Sequence, residues 1–236
     1  MENYQNEISA PRELDRSVAA SLMRSVYYWM AGALTITGLT AMLVAGSPAL
    51  MNLFFGNTAL VWILLIAELA LVVVLSAAIN RLSFSTATLL FIIYSALNGV
   101  TLSSIFVLYT QGSIASTFFI TAGMFVALAL YGTVTKKDLS GIGRFLFMTL
   151  IGLIIASIVN IFMHSEMLYW ITTAIGVVIF AGLTAYDAQK IQQMAADAAE
   201  VNESTQKMAL LGALTLYLDF INLFLYLLRI FGRRSN

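Results

Sequence analysis

Seven unbroken apolar runs of about twenty residues dominate this chain, and they leave it few architectures. They fall roughly at 26–46, 59–79, 87–109, 114–134, 145–163, 168–186 and 208–230. At 1.5 Å of rise per residue, about twenty helical residues cross the ~30 Å hydrocarbon core of a bilayer. Backbone N–H and C=O groups in lipid must be satisfied within the protein, so only helices and closed barrels span it. These runs do not alternate apolar with polar residues, which reads as helix rather than barrel strand. Only 10% of the 236 residues are charged, against about one quarter in a soluble domain. The expected fold is an all-α integral membrane protein, a seven-transmembrane-helix bundle at 26–232 behind a polar N-terminal tail at 1–25.

Short connections, such as 80–86 and 164–167, imply antiparallel neighbours. The longest polar interruption, 188–207, carries Asp197, Glu200, Glu203 and Lys207. It reads as a polar loop whose Ala- and Gln-rich start can extend the sixth helix. The tail is too long and acidic for a signal-peptide n-region, so the first run reads as an uncleaved span. Zero net charge gives no reason to expect nucleic acid as a partner. The absence of cysteine excludes disulfides, thiolate catalysis and cysteine metal sites.

Lys and Arg set orientation. Arg12, Arg16 and Arg24 precede the first span, Arg81 follows the second, Lys136, Lys137 and Arg144 follow the fourth, and Lys190 and Lys207 follow the sixth. The intervening loops at 47–58, 110–113 and 164–167 contain neither residue. This alternation places the N-terminus in the cytoplasm. Seven crossings then put the C-terminus outside, where Arg229, Arg233 and Arg234 oppose the trend.

Against this apolar background, ionisable residues within the spans are candidate functional sites, because a charge in hydrocarbon is costly. Asp187 closes the sixth run. Asp219 lies about eleven residues into the seventh, ~16 Å along its axis. The two spans are sequence neighbours, so the carboxyls can approach if tilt or span boundaries close that gap. Repulsion and burial each disfavour a second charge, and such a pair binds and releases protons as a unit. Asp187 also admits a plainer reading, a helix-end residue in water. Arg81 is a candidate latch for the pair, or an ordinary loop cation. Glu68, mid-way along the second span, is a pore or proton-path candidate or a hydrogen-bonded core residue. Asn98, Thr101, Asn160 and Asn222 read as interhelical hydrogen-bond partners, with Asn222 also a candidate for the path. His164 beside Glu166 makes no metal ligand set. Calcium takes six to eight oxygens, and no acidic loop supplies them. Asp187 and Asp219 are thus expected to meet calcium only weakly and in passing, and no cofactor is expected.

At these residues the chain resembles the Bax inhibitor-1 (transmembrane Bax inhibitor motif) family, in its bacterial branch. The matching strings are Ala185-Tyr186-Asp187 with Gln189-Lys190-Ile191, and the run Leu214-Thr215-Leu216-Tyr217-Leu218-Asp219-Phe220-Ile221-Asn222-Leu223-Phe224. Lys136-Lys137-Asp138-Leu139-Ser140 and Gly99-Val100-Thr101-Leu102 also match, and the resemblance covers roughly 20–232. It implies a seven-helix fold and a pH-sensitive calcium leak. It implies a proton-sensitive pair at Asp187 and Asp219, latched by an arginine that maps to Arg81, and an acidic residue of the second span that maps to Glu68. The flanks of Arg81, Asn80 and Leu82, are less basic than in some relatives. The 32-residue separation of the aspartates is longer than in some relatives, which assigns 192–206 to a loop.

Three functions compete. A passive, proton-gated cation leak uses calcium, protons and the lipid bilayer as its partners. A non-transporting regulator binds a membrane protease or other membrane proteins and needs no wet passage. An intramembrane aspartyl protease uses aspartates on neighbouring helices, but Tyr217-Leu218-Asp219 lacks the Gly-x-Gly-Asp context of that class, and Pro48-Ala49-Leu50 lies in the first outer loop. The leak is the favoured reading, with no enzymatic activity, in a bacterial inner membrane. The charge pattern makes a labelling prediction: cysteines placed within 135–144 or 190–207 react only from the cytoplasmic side, and those within 47–58 or 164–167 only from outside. Labelling of both groups from one side would refute the alternation.

Overall fold

The chain folds as helices throughout the described residues, apart from one isolated β-bridge. The structure is a computed structural model that describes the backbone of residues 2–235 and the side chains of residues 17–235. The helices are α1 (Glu2–Ala45), α2 (Pro48–Phe55), α3 (Thr58–Ala78), α4 (Phe84–Leu102), α5 (Ile105–Leu108), α6 (Gln111–Val134), α7 (Ser140–Met163), α8 (Glu166–Ala196) and α9 (Glu203–Phe231). Seven segments among them are long and apolar enough to cross a membrane: Ser17–Ala45, Thr58–Arg81, Phe84–Leu108, Gln111–Val134, Ser140–Met163, Glu166–Ala196 and Glu203–Phe231. The protein is an all-α, seven-span membrane protein. Each observed span overlaps its expected run and extends past it at one end or both, although the first and third stop one residue short at their far ends. The side chains of Arg12 and Arg16, in the expected tail, lie outside the described residues.

The main departure from the sequence reading is at 188–207. It is helix at both ends, and only 197–202 separates α8 from α9. The connection after the first span also holds an unexpected helix, α2. Ser47 accepts a hydrogen bond from the Leu50 N–H, and Pro48 occupies the first turn, where its missing N–H costs nothing. Asn57 then starts α3 by accepting from the Ala59 N–H.

The chain divides into two compact units, residues 1–107 with 191–214, and residues 108–190 with 215–236. In the first, α4 packs against α1 and α3. Thr37 Oγ1 donates to the Ser95 carbonyl at 2.8 Å. Gly99 permits this approach, since a methyl there would lie 2.6 Å from the Thr37 carbonyl oxygen. The turn between α3 and α4 is held from the start of α9. Glu203 accepts from the Phe84 N–H at 3.1 Å, Lys207 donates to the Leu82 carbonyl at 3.1 Å, and the two side chains are paired at 3.6 Å. Part of the expected loop is therefore a clamp.

In the second unit, α7, α8 and α9 share a core built on Leu146, Leu153, Ile179, Phe180, Leu183 and Leu223. Phe118 and Phe125 of α6 meet Phe220 of α9 edge to face, with ring centroids 5.4 and 5.6 Å apart. A methyl at Gly132 would fall 2.1 Å from the Ala185 carbonyl oxygen, so α6 and α8 touch backbone to backbone.

The end of the chain bears on the charge conflict. Tyr109 and Arg234 form the antiparallel bridge. The Thr110 N–H donates to the Arg233 carbonyl at 2.9 Å and the Ser235 N–H to the Leu108 carbonyl at 3.0 Å. Arg229 lies 5.6 Å from the Tyr169 ring, near the start of α8. The last residues thus sit at the start of α6, a full helix length from Lys136 and Lys137 at its other end. The end of the seventh helix therefore lies at the opposite end of the second unit from that basic connection.

Gly132→Ala forces methyl against backbone and should cost about 1–3 kcal/mol, read as a lower thermal midpoint in detergent. Gly123→Ala in the same helix meets nothing within 4 Å and should leave stability unchanged or raised by up to ~1 kcal/mol. Equal effects of the two would contradict the close α6–α8 contact.

Candidate functional site

The two aspartates meet. Their carboxyl groups lie within hydrogen-bonding reach of one another. A carboxylate can only accept, so a bond between them requires a proton on one of them. Asp219 is only 4% exposed, and its Oδ2 has no hydrogen-bond partner. Asp187 is half-buried. It is no helix-end residue, because α8 runs more than two turns beyond it. That continuation narrows the depth gap left by the sequence reading.

Local sequence explains how Asp187 is aimed. Ala185 is the residue whose carbonyl abuts Gly132, and Tyr186 lies over Gly143 of α7. Ala188 is completely buried. Gln189, also buried, accepts from the Leu139 N–H at 2.9 Å and donates to the Lys137 carbonyl at 2.8 Å. One amide therefore ties α8 to the 135–139 connection, where Asp138 accepts from the Ser140 N–H at 2.8 Å. The bonds to Ser140, first of all, hold the Asp138 carboxyl below the usual range. Lys190 lies over the Tyr186 ring at 6.0 Å and places a positive charge near Asp187. With α8 fixed on three sides, its next polar residue can face only α9. On α9, Phe220 anchors the neighbouring position against α6, and Leu216, Tyr217 and Leu223 are fully buried. The helix is enclosed almost all round at this level.

A second acidic cluster lies in the first unit. Glu68 of α3 accepts from Thr101 Oγ1 and from Asn98 Nδ2, the latter at 3.4 Å. The Tyr94 hydroxyl lies within electrostatic reach. Here Asn98 and Thr101 are interhelical partners, as the sequence reading expects. Asn160 and Asn222 are not: Asn160 accepts from the Ser165 N–H at 3.0 Å and secures its own turn, where His164 adopts φ 51°. Asn222 Nδ2 donates to the Leu218 carbonyl one turn back at 2.8 Å. Asn222 shares a helix face with Asp219, three residues away. Arg81 is exposed in the short turn that ends the third helix, within the first unit.

The clamp residues Gln189, Glu203 and Lys207 were invisible as such in the sequence. Each is a polar side chain whose partners are backbone groups 50 to 125 residues away. No group of three or more His, Cys, Asp or Glu side chains placed for a metal occurs among the described residues.

Comparison with known proteins agrees with this architecture. Residues 19–236 match the family described as inhibitor of apoptosis-promoting Bax1. The inner membrane protein YbhL of Escherichia coli is 54% identical over 220 residues, covering 93% of this chain and 94% of that protein. A protein of Borreliella burgdorferi is 45% identical over 214 residues, covering 91% of this chain and 92% of its own. A membrane protein of Streptococcus pyogenes is 44% identical over 171 residues, 72% of this chain and 73% of its own. None of these names carries an enzymatic activity. A family match over nearly the whole length, with relatives this similar, means that the chain belongs to the Bax inhibitor family of membrane proteins.

Proposed function

We propose that this protein is a pH-sensitive calcium leak of a bacterial inner membrane, with its N-terminus in the cytoplasm. The observation that carries the reading is the close approach of the Asp187 and Asp219 carboxyls, with one buried carboxyl oxygen left unpartnered. In hydrocarbon such a pair stores a response to protons. With both groups ionised the carboxylates repel; one proton bridges them, and a second neutralises the pair. Arg81 is the proposed latch, attracted by the negative pair and released when it is neutralised. Glu68 and Asn222 are the proposed polar groups of the ion's path. Calcium passes rather than resides, because two carboxyls fall far short of six to eight oxygens. The inner-membrane location follows the name of the Escherichia coli relative and the charge alternation of the loops.

The aspartyl-protease alternative has less support. Asp219 lacks the flanking glycines, and α9 is enclosed by its neighbours at that level, where Phe220 is 3% exposed. A peptide backbone needs an open groove there.

The test uses calcium flux into proteoliposomes that contain this protein alone. Wild-type flux should rise as pH falls. Asp187→Asn and Asp219→Asn should each lose most of that pH dependence, the latter more completely because its site is more deeply buried. An unchanged pH–flux curve in both variants would refute the paired sensor and make Glu68 the next candidate.

Arg81→Ala tests the latch separately. The side chain is exposed, so stability should change by only ~0–1 kcal/mol. Basal flux should rise at neutral pH and depend less on pH. Wild-type flux at every pH would reduce Arg81 to a topology determinant.

A further inference from the structure

Arg229, Arg233 and Arg234 stand where the loops otherwise carry no Lys or Arg. Late positive charge on that side opposes the orientation bias, so its local surroundings matter. All three belong to the second unit, at the end of α9 beside the start of α6 and the start of α8. The arginines are not loose tail residues. The guanidinium of Arg229 is held between two rings, 4.9 Å from Tyr226 and 5.6 Å from Tyr169. The backbone of Arg233 and Arg234 is fixed by the Tyr109 bridge and by the bonds from Thr110 and Ser235. Ser113 Oγ adds a contact to the Arg233 carbonyl at 3.4 Å.

Adjacent residues of an extended strand point to opposite faces, so Arg233 and Arg234 diverge. Arg234 and Arg229 both act electrostatically on Tyr109, as does Tyr169. Two guanidinium groups and two phenols therefore lie within electrostatic range of one another at this end of the unit. Among the described residues no carboxylate lies within ion-pair distance of these arginines. Glu166, exposed in the first turn of α8, is the acidic side chain at this end of the unit.

The surroundings are those of a membrane interface. Leu108, Trp170, Ile230 and Phe231 are exposed apolar side chains flanking the cluster, and amphipathic aromatic residues favour the headgroup level. A ligand here must be anionic at its head and tolerate an apolar shelf beneath it. Guanidinium forks suit phosphate oxygens, which they bind through paired, charge-assisted hydrogen bonds. We propose that Arg229 and Arg234, with the hydroxyls of Tyr109 and Tyr169, form a binding site for the phosphate headgroup of an anionic phospholipid. The exposed apolar side chains favour a lipid over a free anion, since they provide contact for acyl chains. Bound lipid also supplies the counter-charge that this end of the seventh helix lacks.

The experiment is native mass spectrometry of the full chain released from detergent, with phosphatidylglycerol or phosphatidylcholine added at matched concentration. The wild type should retain phosphatidylglycerol in preference to phosphatidylcholine. Arg229→Gln/Arg234→Gln should weaken that retention roughly tenfold or more, given the strength of charge-assisted hydrogen bonds. Arg144→Gln, near the start of α7 at the other end of the unit, should behave as wild type. If the double variant does not fold, Arg234→Gln alone decides, because its side chain is exposed and its backbone makes the bridge. Undiminished retention in that variant overturns the proposal. So does equal retention of the two lipids, or displacement of phosphatidylglycerol by millimolar inorganic phosphate, which would mark a site for the free anion.

Discussion

A carboxyl group in hydrocarbon is tolerated only when something nearby satisfies it, and the approach of Asp187 to Asp219 offers that provision for two such groups at once. An acidic side chain at the centre of a spanning helix costs about 2.5–3.5 kcal/mol on insertion scales. Two of them on neighbouring helices are expensive to keep unless they meet. Much of the second unit aligns them. Gly132 lets α6 reach the backbone of α8, Tyr186 seats against α7, and Gln189 pins α8 to the preceding connection. Phe118 and Phe125 do the same for α9 through Phe220. A small rotation of either helix would separate the carboxyls and leave each to be satisfied alone.

Glu68 solves the same physical problem differently. Its partners are Thr101 and Asn98, which are neutral donors from α4. Donors of this kind receive a carboxylate without a shared proton. The aspartate pair, in contrast, has no arrangement that keeps its mutual bond without one. This difference is why the pair, rather than Glu68, is proposed as the proton-responsive element, with Glu68 as a polar group along the path.

The spans were legible in the sequence because hydrophobic run length is a one-dimensional property, and seven runs became seven spans. Their ends were less legible. The Ala- and Gln-rich start of the polar stretch was expected to be able to extend the sixth helix, and helix does continue to Ala196, because Ala, Gln and Lys are good helix formers beyond the bilayer. Ending the apolar run at Tyr186 made Asp187 look terminal. Asp187 and Asp219 could be singled out because charge is scarce in these runs. Their approach was expected from the neighbouring spans and from the family resemblance, but the residues alone could not fix it, since it depends on helix rotation set by distant glycines and aromatic rings. Gln189 and Lys207 escaped notice for a related reason: their partners are backbone groups, which have no sequence signature. Asn160 and Asn222 were read by residue type as interhelical, whereas each bonds within its own helix or turn.

The most direct test of the paired sensor is a double-mutant cycle on the pH dependence of calcium flux, comparing wild type, Asp187→Asn, Asp219→Asn and the double variant in otherwise identical proteoliposomes. If the two carboxyls act as one unit, their effects are not additive, and the double variant should match the more severe single variant. Independent, additive losses from the two substitutions would contradict the account, because they would show two separate titrating sites instead of one shared pair.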